Sequence, residues 1–360
     1  MQYLTIGYHG SRRVRFWEEV VIANGGEHQL LTFQQIANDG FPTIQQATTL
    51  RITSPGEDFE TYKLLLSLGG YDEADSLELD RGRIRFSRYW YKGWCVVLGK
   101  ISAWLRQNSD MKAINSPGTI QLAFNKVQCQ RHIAYEVDTP RIFLNELENY
   151  EQFIQLFDAL KLHQAFIKPW HGSSASGVMA FRKSGDKQIL YTTIHLVQNE
   201  GIKLYNHLKL QKYTKPKTIK TIINEMAQHG LMMEQWIRKK TFRHKSVDFR
   251  IVVIGGEAVF TVPRLSPHFI TNLHLGNEKG KIETIEARWG TACIEAAKQL
   301  AVEAVAAISG LFYAGVDVAI DTNEQPYVLE VNAFGDMLLD ITHKGKTTYE
   351  WEFELWKLQN

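Results

Sequence analysis

Residues 313–336 constrain the fold more than any other part of the chain. This stretch begins with Tyr313–Ile320 and continues with residues 327–331, and both runs are rich in β-branched residues. Between them lie the polar, turn-forming residues 321–326, which end in a proline. Strand-forming runs on either side of such a turn predict a β-hairpin with a loop of about five residues.

Acidic and amide side chains within this hairpin suggest a cation site. Asp317 lies in the first strand, and Glu330 and Asn332 are two residues apart in the second, so the side chains of the last two share one face. Neither strand contains a Lys or Arg, and a buried carboxylate needs a counter-charge. Three hard oxygen donors without Cys or His favour Mg²⁺. The alternative is a solvated hairpin face.

Composition limits the class of protein. The chain has 360 residues, 44% of them hydrophobic, which is enough for a sizeable core in two or three lobes. A net charge of +2 implies neither nucleic acid nor membrane binding. The cysteines Cys95, Cys129 and Cys293 are too far apart for a disulfide framework or a metal cluster. Without a signal peptide or a long apolar run, we expect a soluble, cytoplasmic protein.

The first part of the chain alternates strand and helix patterns. A strand at residues 3–6 precedes a helix, and a second strand at residues 50–52 precedes the turn at 54–58 and another helix. This order predicts an α/β lobe. The turn at 54–58 could hold an anion at a helix N-terminus or could be a plain strand–helix loop, which we favour.

Residues 80–94 interleave arginines with aromatic residues. Such a pattern suits single-stranded nucleic acid or an acidic peptide. We favour an amphipathic edge segment, because the acidic residues just before it would cancel much of the positive field. The role of the segment is left open.

A loop of small residues at 169–178 follows a strand that ends in Lys168, and a second strand follows the loop. Backbone N–H groups and hydroxyls in such a loop suit phosphate oxygens, although the loop has neither the Walker nor the dinucleotide signature. The alternative is a solvated Gly/Ser turn. Further on, His268 and His274 do not favour a zinc site, since neither a Cys nor a third His lies at helix spacing.

The order of these features resembles the ATP-grasp superfamily over residues 112–340. Along the chain, these features are a lysine before the small-residue loop, a Glu-x-x-Ile segment, Asp-x-Arg at a strand start, Arg and then Asn in an irregular stretch, a long helix, and Asp…Glu-x-Asn. The resemblance implies an α/β protein with α+β lobes, namely an ATP-grasp fold with an N-terminal α/β lobe. The lobes are expected at residues 1–111, 112–235 and 236–360.

The resemblance also implies residue roles. Lys126 and Lys168 would hold the α- and β-phosphates, and Arg264 would face the γ-phosphate or an acyl phosphate. Catalytic positions would be Arg264, Asn272 and Arg250. Mg²⁺, or Mn²⁺ in its place, would bind Asp317, Glu330 and Asn332. The nucleotide would lie against Lys126, Lys168, Gly172, Ser173, Ser174, Gly177, Glu234, Gln235, Trp236, Ile237 and Asp248.

The activity that the resemblance implies is an ATP-dependent ligase. A carboxylate on a small metabolite or a peptide would be activated as an acyl phosphate and attacked by an amine or a thiol. Two alternatives stay open: a kinase that uses the same fold, and a nucleotide-binding partner protein without turnover. Neither a membrane nor nucleic acid is an expected partner, and the oligomeric state is not indicated.

Overall fold

The structure is a computed structural model that describes residues 2–172, 175–199, 201–334, 338 and 341–360, apart from the side chain of His274. Its described residues form three sheets that follow one another along the chain. The small-residue loop at Ser173 and Ser174, and residues 335–337, 339 and 340, lie outside the described residues.

The first lobe is a parallel sheet with strand order β2-β1-β3-β4. Strand β4 carries this sheet as far as Ala113, and the predicted α/β lobe is confirmed. Its strands are β1 (Gln2–Gly7), β2 (Glu27–Thr32), β3 (Thr48–Ile52) and β4 (Met111–Ala113). Its helices are α1 (Arg12–Ala23), α2 (Phe33–Asn38), α3 (Phe59–Leu68) and α4 (Ser87–Gln107).

Two predictions within this lobe have different outcomes. The turn at 54–58 is a strand–helix loop whose Asp58 carboxylate accepts the Thr61 N–H at 2.7 Å and so caps α3. The edge-segment interpretation of residues 80–94 is wrong for its second half, because α4 begins at Ser87. It holds for residues 82–84, which pair with an edge strand of the second sheet.

Helices α5 (Pro117–Phe124) and α6 (Lys126–Ile133) connect the first lobe to the second. The second lobe is an antiparallel sheet with order β5-β10-β6-β7-β8-β9. Its strands are β5 (Ile142–Leu144), β6 (Gln164–Pro169), β7 (Met179–Ser184), β8 (Lys187–Val197), β9 (Lys203–Tyr213) and β10 (Leu231–Glu234), and its helices are α7 (Tyr150–Ala159) and α8 (Pro216–Ala227).

The third lobe is an antiparallel sheet with order β14-β13-β12-β15-β16, and β11 pairs with β12. Its strands are β11 (Thr241–Phe242), β12 (Lys245–Ile254), β13 (Glu257–Ser266), β14 (Glu278–Lys279), β15 (Tyr313–Ile320) and β16 (Pro326–Asn332). Its helices are α9 (Ile282–Trp289) and α10 (Thr291–Ala306), and α11 (Thr348–Gln359) ends the chain. Strands β15 and β16 form the predicted hairpin.

Burial shows how the lobes are joined. One apolar cluster runs from β1 and β3 through α4 to α10 and β15, so the first and third lobes share a core. The second lobe has its own core around Phe153, Phe157 and Phe181. A cleft therefore forms where the second lobe meets the body made by the other two. Among the described residues, none of the helices combines the length and the hydrophobicity that a bilayer crossing requires.

Candidate active site: a cleft between the second and third sheets

Side chains from the second and third sheets line a cleft that is open to solvent at its mouth. Clefts between lobes are common sites for small molecules and cofactors. Most of the side chains predicted to act on a nucleotide or metal lie along its walls.

The predicted metal ligands lie together on one wall. Asp317 of β15 is directly opposite Glu330 of β16, and Asn332 lies two residues further along the same strand. Arg250 of β12 is opposite Asp317 on its other side, so these side chains form a row across the sheet. Asn332 donates from Nδ2 to Gly315 O at 3.2 Å, which leaves its amide oxygen as the atom that can act as a ligand.

The inference that Asp317 and Glu330 lack a protein counter-charge is wrong. Arg250 donates to both carboxylate oxygens of Asp317, from Nε at 2.6 Å and from Nη2 at 3.2 Å. Arg264 adds a contact from Nη2 to Oδ2 of Asp317 at 3.1 Å, and Lys126 is ion-paired with Glu330. These cations come from outside the hairpin, so a metal role rests on the oxygen donor set alone.

Arg250 and Arg264 also keep the nearby carboxyl groups ionised. Burial alone would raise the pKa of Asp317, but Arg250 and Arg264 outweigh it and hold this pKa at about 2. Asp248 is buried as well, and Arg264 and Lys239 lower its pKa. Both carboxylates are therefore ionised at neutral pH, which a metal ligand or a partner for a cation requires.

Lys126 and Lys168 lie on the wall that faces the hairpin. Lys126, the first residue of α6, donates from its main-chain N to Trp170 O and from Nζ to Gly172 O, each at 3.0 Å. Lys168, near the end of β6, is ion-paired with Oε1 of Glu234 on the adjacent strand β10. Both ammonium groups line the cleft.

Glu234 carries an unused acceptor. Its side chain is buried, and among the residues that the structure describes its Oε2 atom has no hydrogen-bond partner. Burial raises the pKa of Glu234, and Lys168 opposes that rise. A buried acceptor without a donor is costly, so the atom suits a ligand with an N–H group.

The small-residue loop borders the cleft at Gly172 and at Ala175, Ser176 and Val178. Gly177 has a φ of +73° and donates its N–H to Thr193 Oγ1 at 3.2 Å. This positive φ favours glycine, and a Cβ at Gly177 would also displace Cε of Met226, which would lie 2.7 Å away. The predicted contacts of Ser173 and Ser174 lie outside the described residues.

Residues 235–237, which follow β10, agree only in part with the prediction that they contact the nucleotide. Gln235 and Ile237 line the cleft, whereas the ring of Trp236 packs 4.7 Å from that of Phe166 and 4.5 Å from that of Phe269. The N–H of Gln235 donates to Arg141 O at 2.8 Å, so it is already used within the protein. The segment can offer its remaining backbone groups to a base.

Arg264 and Asn272 line the same cleft, as does Asp248. Arg264 is 3% exposed and donates from Nε to Oδ1 of Asp248 at 2.7 Å, so it bridges Asp248 and Asp317. His343 is not among the residues that line the cleft, and its ring packs against Phe260 and Trp351 near α11.

Lys239 and Thr271 also line the cleft, and sequence analysis missed both. Lys239 donates from Nζ to Oδ2 of Asp248 at 2.9 Å and to the Thr271 hydroxyl. Burial lowers the pKa of Lys239, and Asp248 opposes that change. In the sequence, Lys239 lies in the basic run 238–240, which looks like a solvated stretch, so only the fold reveals its position.

Comparison with known protein families is decisive for residues 119–348. They match the family described as YheC/D like ATP-grasp, over more than half of the chain. The chain belongs to the YheC/D-like ATP-grasp family. A comparison with curated proteins gave no significant match.

Solved structures similar to this YheC/D-like protein are ATP-grasp ligases. The ligase PsnB with a minimal precursor, Mg and ADP has a TM-score of 0.56 at 12% identity, over 99% of this chain and 97% of that one. D-cycloserine synthetase DcsG has a TM-score of 0.56 at 10% identity, over 100% and 99%. D-alanine–D-alanine ligase from Bacillus anthracis with ATP has a TM-score of 0.52 at 13% identity, over 99% and 95%. At these identities the likeness shows the fold, and the predicted ATP-grasp fold is confirmed.

Proposed function

We propose that this protein is an ATP-dependent ligase that activates a carboxylate as an acyl phosphate and joins it to an amine. The observation that carries the proposal is the convergence of two lysines, two arginines and an oxygen donor set on one cleft. Cations at this density neutralise a transferring phosphoryl group, and the reaction requires no nucleophile from the protein.

The cleft suits a nucleotide in both charge and hydrogen bonding. Its walls carry the cations Lys126, Lys168, Lys239, Arg250 and Arg264 and the anions Glu234, Asp248, Asp317 and Glu330. We assign Lys126 and Lys168 to the α- and β-phosphates. The unpartnered Oε2 of Glu234 would accept a hydrogen bond from the amino group of adenine.

A divalent cation would be held by Asp317, Glu330 and Asn332. Their carboxylate and amide oxygens suit Mg²⁺ and also Mn²⁺, and the ion would supply positive charge against the phosphates. Without it, the phosphates would compete with the carboxylates of Asp317 and Glu330 for the lysine and arginines that are already ion-paired with them. ATP binding should therefore depend on a divalent cation.

The chemistry follows from these assignments. A carboxylate oxygen attacks the γ-phosphorus and ADP leaves, and the amine nitrogen then attacks the acyl carbon, loses a proton and expels inorganic phosphate. Arg264 and Asn272 would stabilise the charge that develops on the acyl phosphate, and Arg250 would hold Asp317 in place. A thiol could replace the amine in the second step.

The substrate class is a carboxylate on a small metabolite or a peptide. The similar structures include PsnB, which has also been solved with a precursor peptide, and two enzymes named for small molecules, so both classes belong in a test. Because the reaction needs ATP, and because the cysteines Cys95, Cys129 and Cys293 are unpaired, we place the protein in the cytoplasm.

Incubation with Mg-ATP and pooled metabolites or peptides, followed by mass spectrometry, tests the proposal. A ligase gives ADP, inorganic phosphate and a product lighter than its two substrates together by one water. A product heavier by one phosphoryl group, with no release of inorganic phosphate, would instead identify a kinase. Absence of any ATP turnover across the pools would leave nucleotide binding as the function.

A further inference from the structure

Residues 80–94 join the first lobe to the second. The N–H of Ile84 donates to Leu204 O at 2.9 Å, and the N–H of Asn206 donates to Gly82 O at 2.7 Å, so residues 82–84 pair with the edge strand β9. The side chain of Ile84 packs against the core of the second lobe. We call residues 80–94 the interlobe strap. Three of its four arginines, Arg83, Arg85 and Arg88, donate hydrogen bonds to other parts of the protein.

The second half of the strap is the start of α4, and it contacts the end of β6. The guanidinium of Arg88 lies 5.2 Å from the ring centre of Trp170, and its Nη2 donates to Oε1 of Glu146 at 2.9 Å. The ring of Tyr91 stacks on that of His171, with centres 3.6 Å apart and planes at 12°. The Tyr91 hydroxyl donates to Gln121 O at 3.2 Å.

His171 is held from both sides. It is buried, and its Nδ1 lies 3.2 Å from Phe124 O at the end of α5. Burial lowers the pKa of His171 to about 4, so two uncharged rings are stacked at neutral pH. The backbone at residue 171 therefore has little freedom to move relative to α4 and α5.

The same short segment carries Lys168 and is hydrogen-bonded to Lys126, and these are the two lysines that we assign to the phosphates. Lys168 lies three residues before His171, and Lys126 is bonded to Trp170 O and Gly172 O, the carbonyls on either side of His171. A shift of His171 would move both carbonyls and with them Lys126. The strap is thus connected to the proposed nucleotide site through Tyr91 and His171.

We propose that Tyr91 and Arg88 are positioning residues that hold Lys126 and the root of the small-residue loop in place for the nucleotide. The inference rests on the proposed nucleotide site. Neither residue touches the cleft, so their effect is on how well the site is formed before ATP arrives. Loss of the stacked ring should weaken nucleotide binding, whereas loss of the hydroxyl alone should not.

Isothermal titration with a non-hydrolysable ATP analogue and Mg²⁺ tests this with graded variants. Tyr91→Leu should raise Kd by about 3- to 10-fold, the size of one aromatic contact. Tyr91→Phe keeps the ring and should leave Kd at the wild-type value within the error of the measurement. Ile84→Ala is the matched control, because it weakens strap packing away from His171 and should lower Tm without changing Kd.

Arg88→Gln provides a second variant on a half-exposed side chain that does not threaten folding. Arg88→Gln should raise Kd by about twofold. If Tyr91→Leu does not fold, this variant alone tests whether the strap positions the nucleotide site. An unchanged Kd in folded Tyr91→Leu or in Arg88→Gln would overturn the inference, as would an equal loss in Ile84→Ala. If wild-type protein fails to bind the analogue, the proposed function fails with it, so the two failures are distinguishable.

Discussion

Asp317 keeps its charge inside the protein because Arg250 of the neighbouring strand β12 and Arg264 of β13, one strand further away, flank it. Removal of one partner of such a buried ion pair is strongly destabilising, because it leaves a buried charge without its counter-charge. Glu330 differs, since its side chain is more exposed and its partner Lys126 is the lysine that we assign to the phosphates. Glu330 is therefore the metal-facing acid that can be changed with least damage to the fold.

Glu330→Gln should lower ATP-dependent turnover by about 100-fold or more, because it removes a charge from the proposed metal site at nearly constant volume. ADP formation in the presence of Mg²⁺ measures the loss, and an unchanged Tm shows that the fold is intact. Glu324→Gln on the loop of the same hairpin is the control, since Glu324 is exposed and paired with Lys240. Near wild-type turnover in Glu330→Gln would make Glu330 a surface residue.

The buried His171 should make the stability of the protein depend on pH. Its pKa is about 4 in the folded protein and near 6.5 when unfolded, so between these values the unfolded state binds more protons. Stability therefore rises with pH over this window and is lost as pH falls through it, by up to about 3 kcal/mol from this group. Urea unfolding of wild type and His171→Phe at several pH values should show a shallower dependence in the variant. Equal slopes would contradict the assignment.

The juxtaposition of Asp317, Glu330 and Asn332 could be predicted from the sequence because their relation is local. Two-residue periodicity puts Glu330 and Asn332 on one face, and the hairpin places Asp317 opposite Glu330. Their counter-charges could not be predicted, since Arg250, Arg264 and Lys126 arrive through strand pairing and helix placement between distant segments. Lys239 was missed for the same reason.

At the scale of single elements, α4 is a case in which the local sequence pattern predicts the wrong secondary structure. The arginines and aromatics before and within it suggested an extended edge, because alternating residues 81, 83 and 85 dominate the local pattern. The helix is stabilised instead by its apolar face, on which Trp94, Val97, Leu98 and Ile101 are buried. Tertiary packing thus decided the structure there, whereas α3 followed from the local sequence, as a helix that begins after the turn at 54–58.

Helices α3 and α4 cross so closely that Gly93 has no room for a side chain. A Cβ at this position would lie 1.8 Å from Leu65 O, whereas a Cβ at Gly99 of the same helix would meet nothing within 4 Å. Gly93→Ala should lower the free energy of unfolding by about 1–3 kcal/mol, and Gly99→Ala should raise it by about 0.5–1 kcal/mol. Urea denaturation of both variants checks this, and an equal effect of the two would refute the close crossing.

For the molecule as a whole, α11 ties the end of the chain to the first lobe. Glu352 accepts from Nε of Arg51 at 2.7 Å and from Nη2 at 3.0 Å, and both side chains are buried. The Arg51 guanidinium also lies about 5 Å from the rings of Tyr313 and Tyr349. The pair therefore joins β3, β15 and α11.

Removal of one partner should be costly, because it leaves a buried charge without its counter-charge. Glu352→Gln is expected to lower the free energy of unfolding by about 3–5 kcal/mol. Glu354→Gln on the same helix is the control, because Glu354 and its partner Lys346 are half-exposed and the change should cost under about 1 kcal/mol. Chemical denaturation separates the two, and similar small losses would show that the buried pair does not stabilise the lobe contact.

Magnesium-dependent binding of ATP in the cleft is tested most directly by thermal unfolding of the wild-type protein. Tm is measured with ATP and Mg²⁺, and again with ATP and EDTA. A ligand at about 100 times its Kd stabilises the native state by about 2.7 kcal/mol, so Mg-ATP should raise Tm by several degrees. ATP with EDTA should leave Tm almost unchanged, because without Mg²⁺ the phosphates must compete with Asp317 and Glu330 for the cations already ion-paired with these carboxylates. No rise with Mg-ATP, or an equal rise in EDTA, would contradict the proposed site.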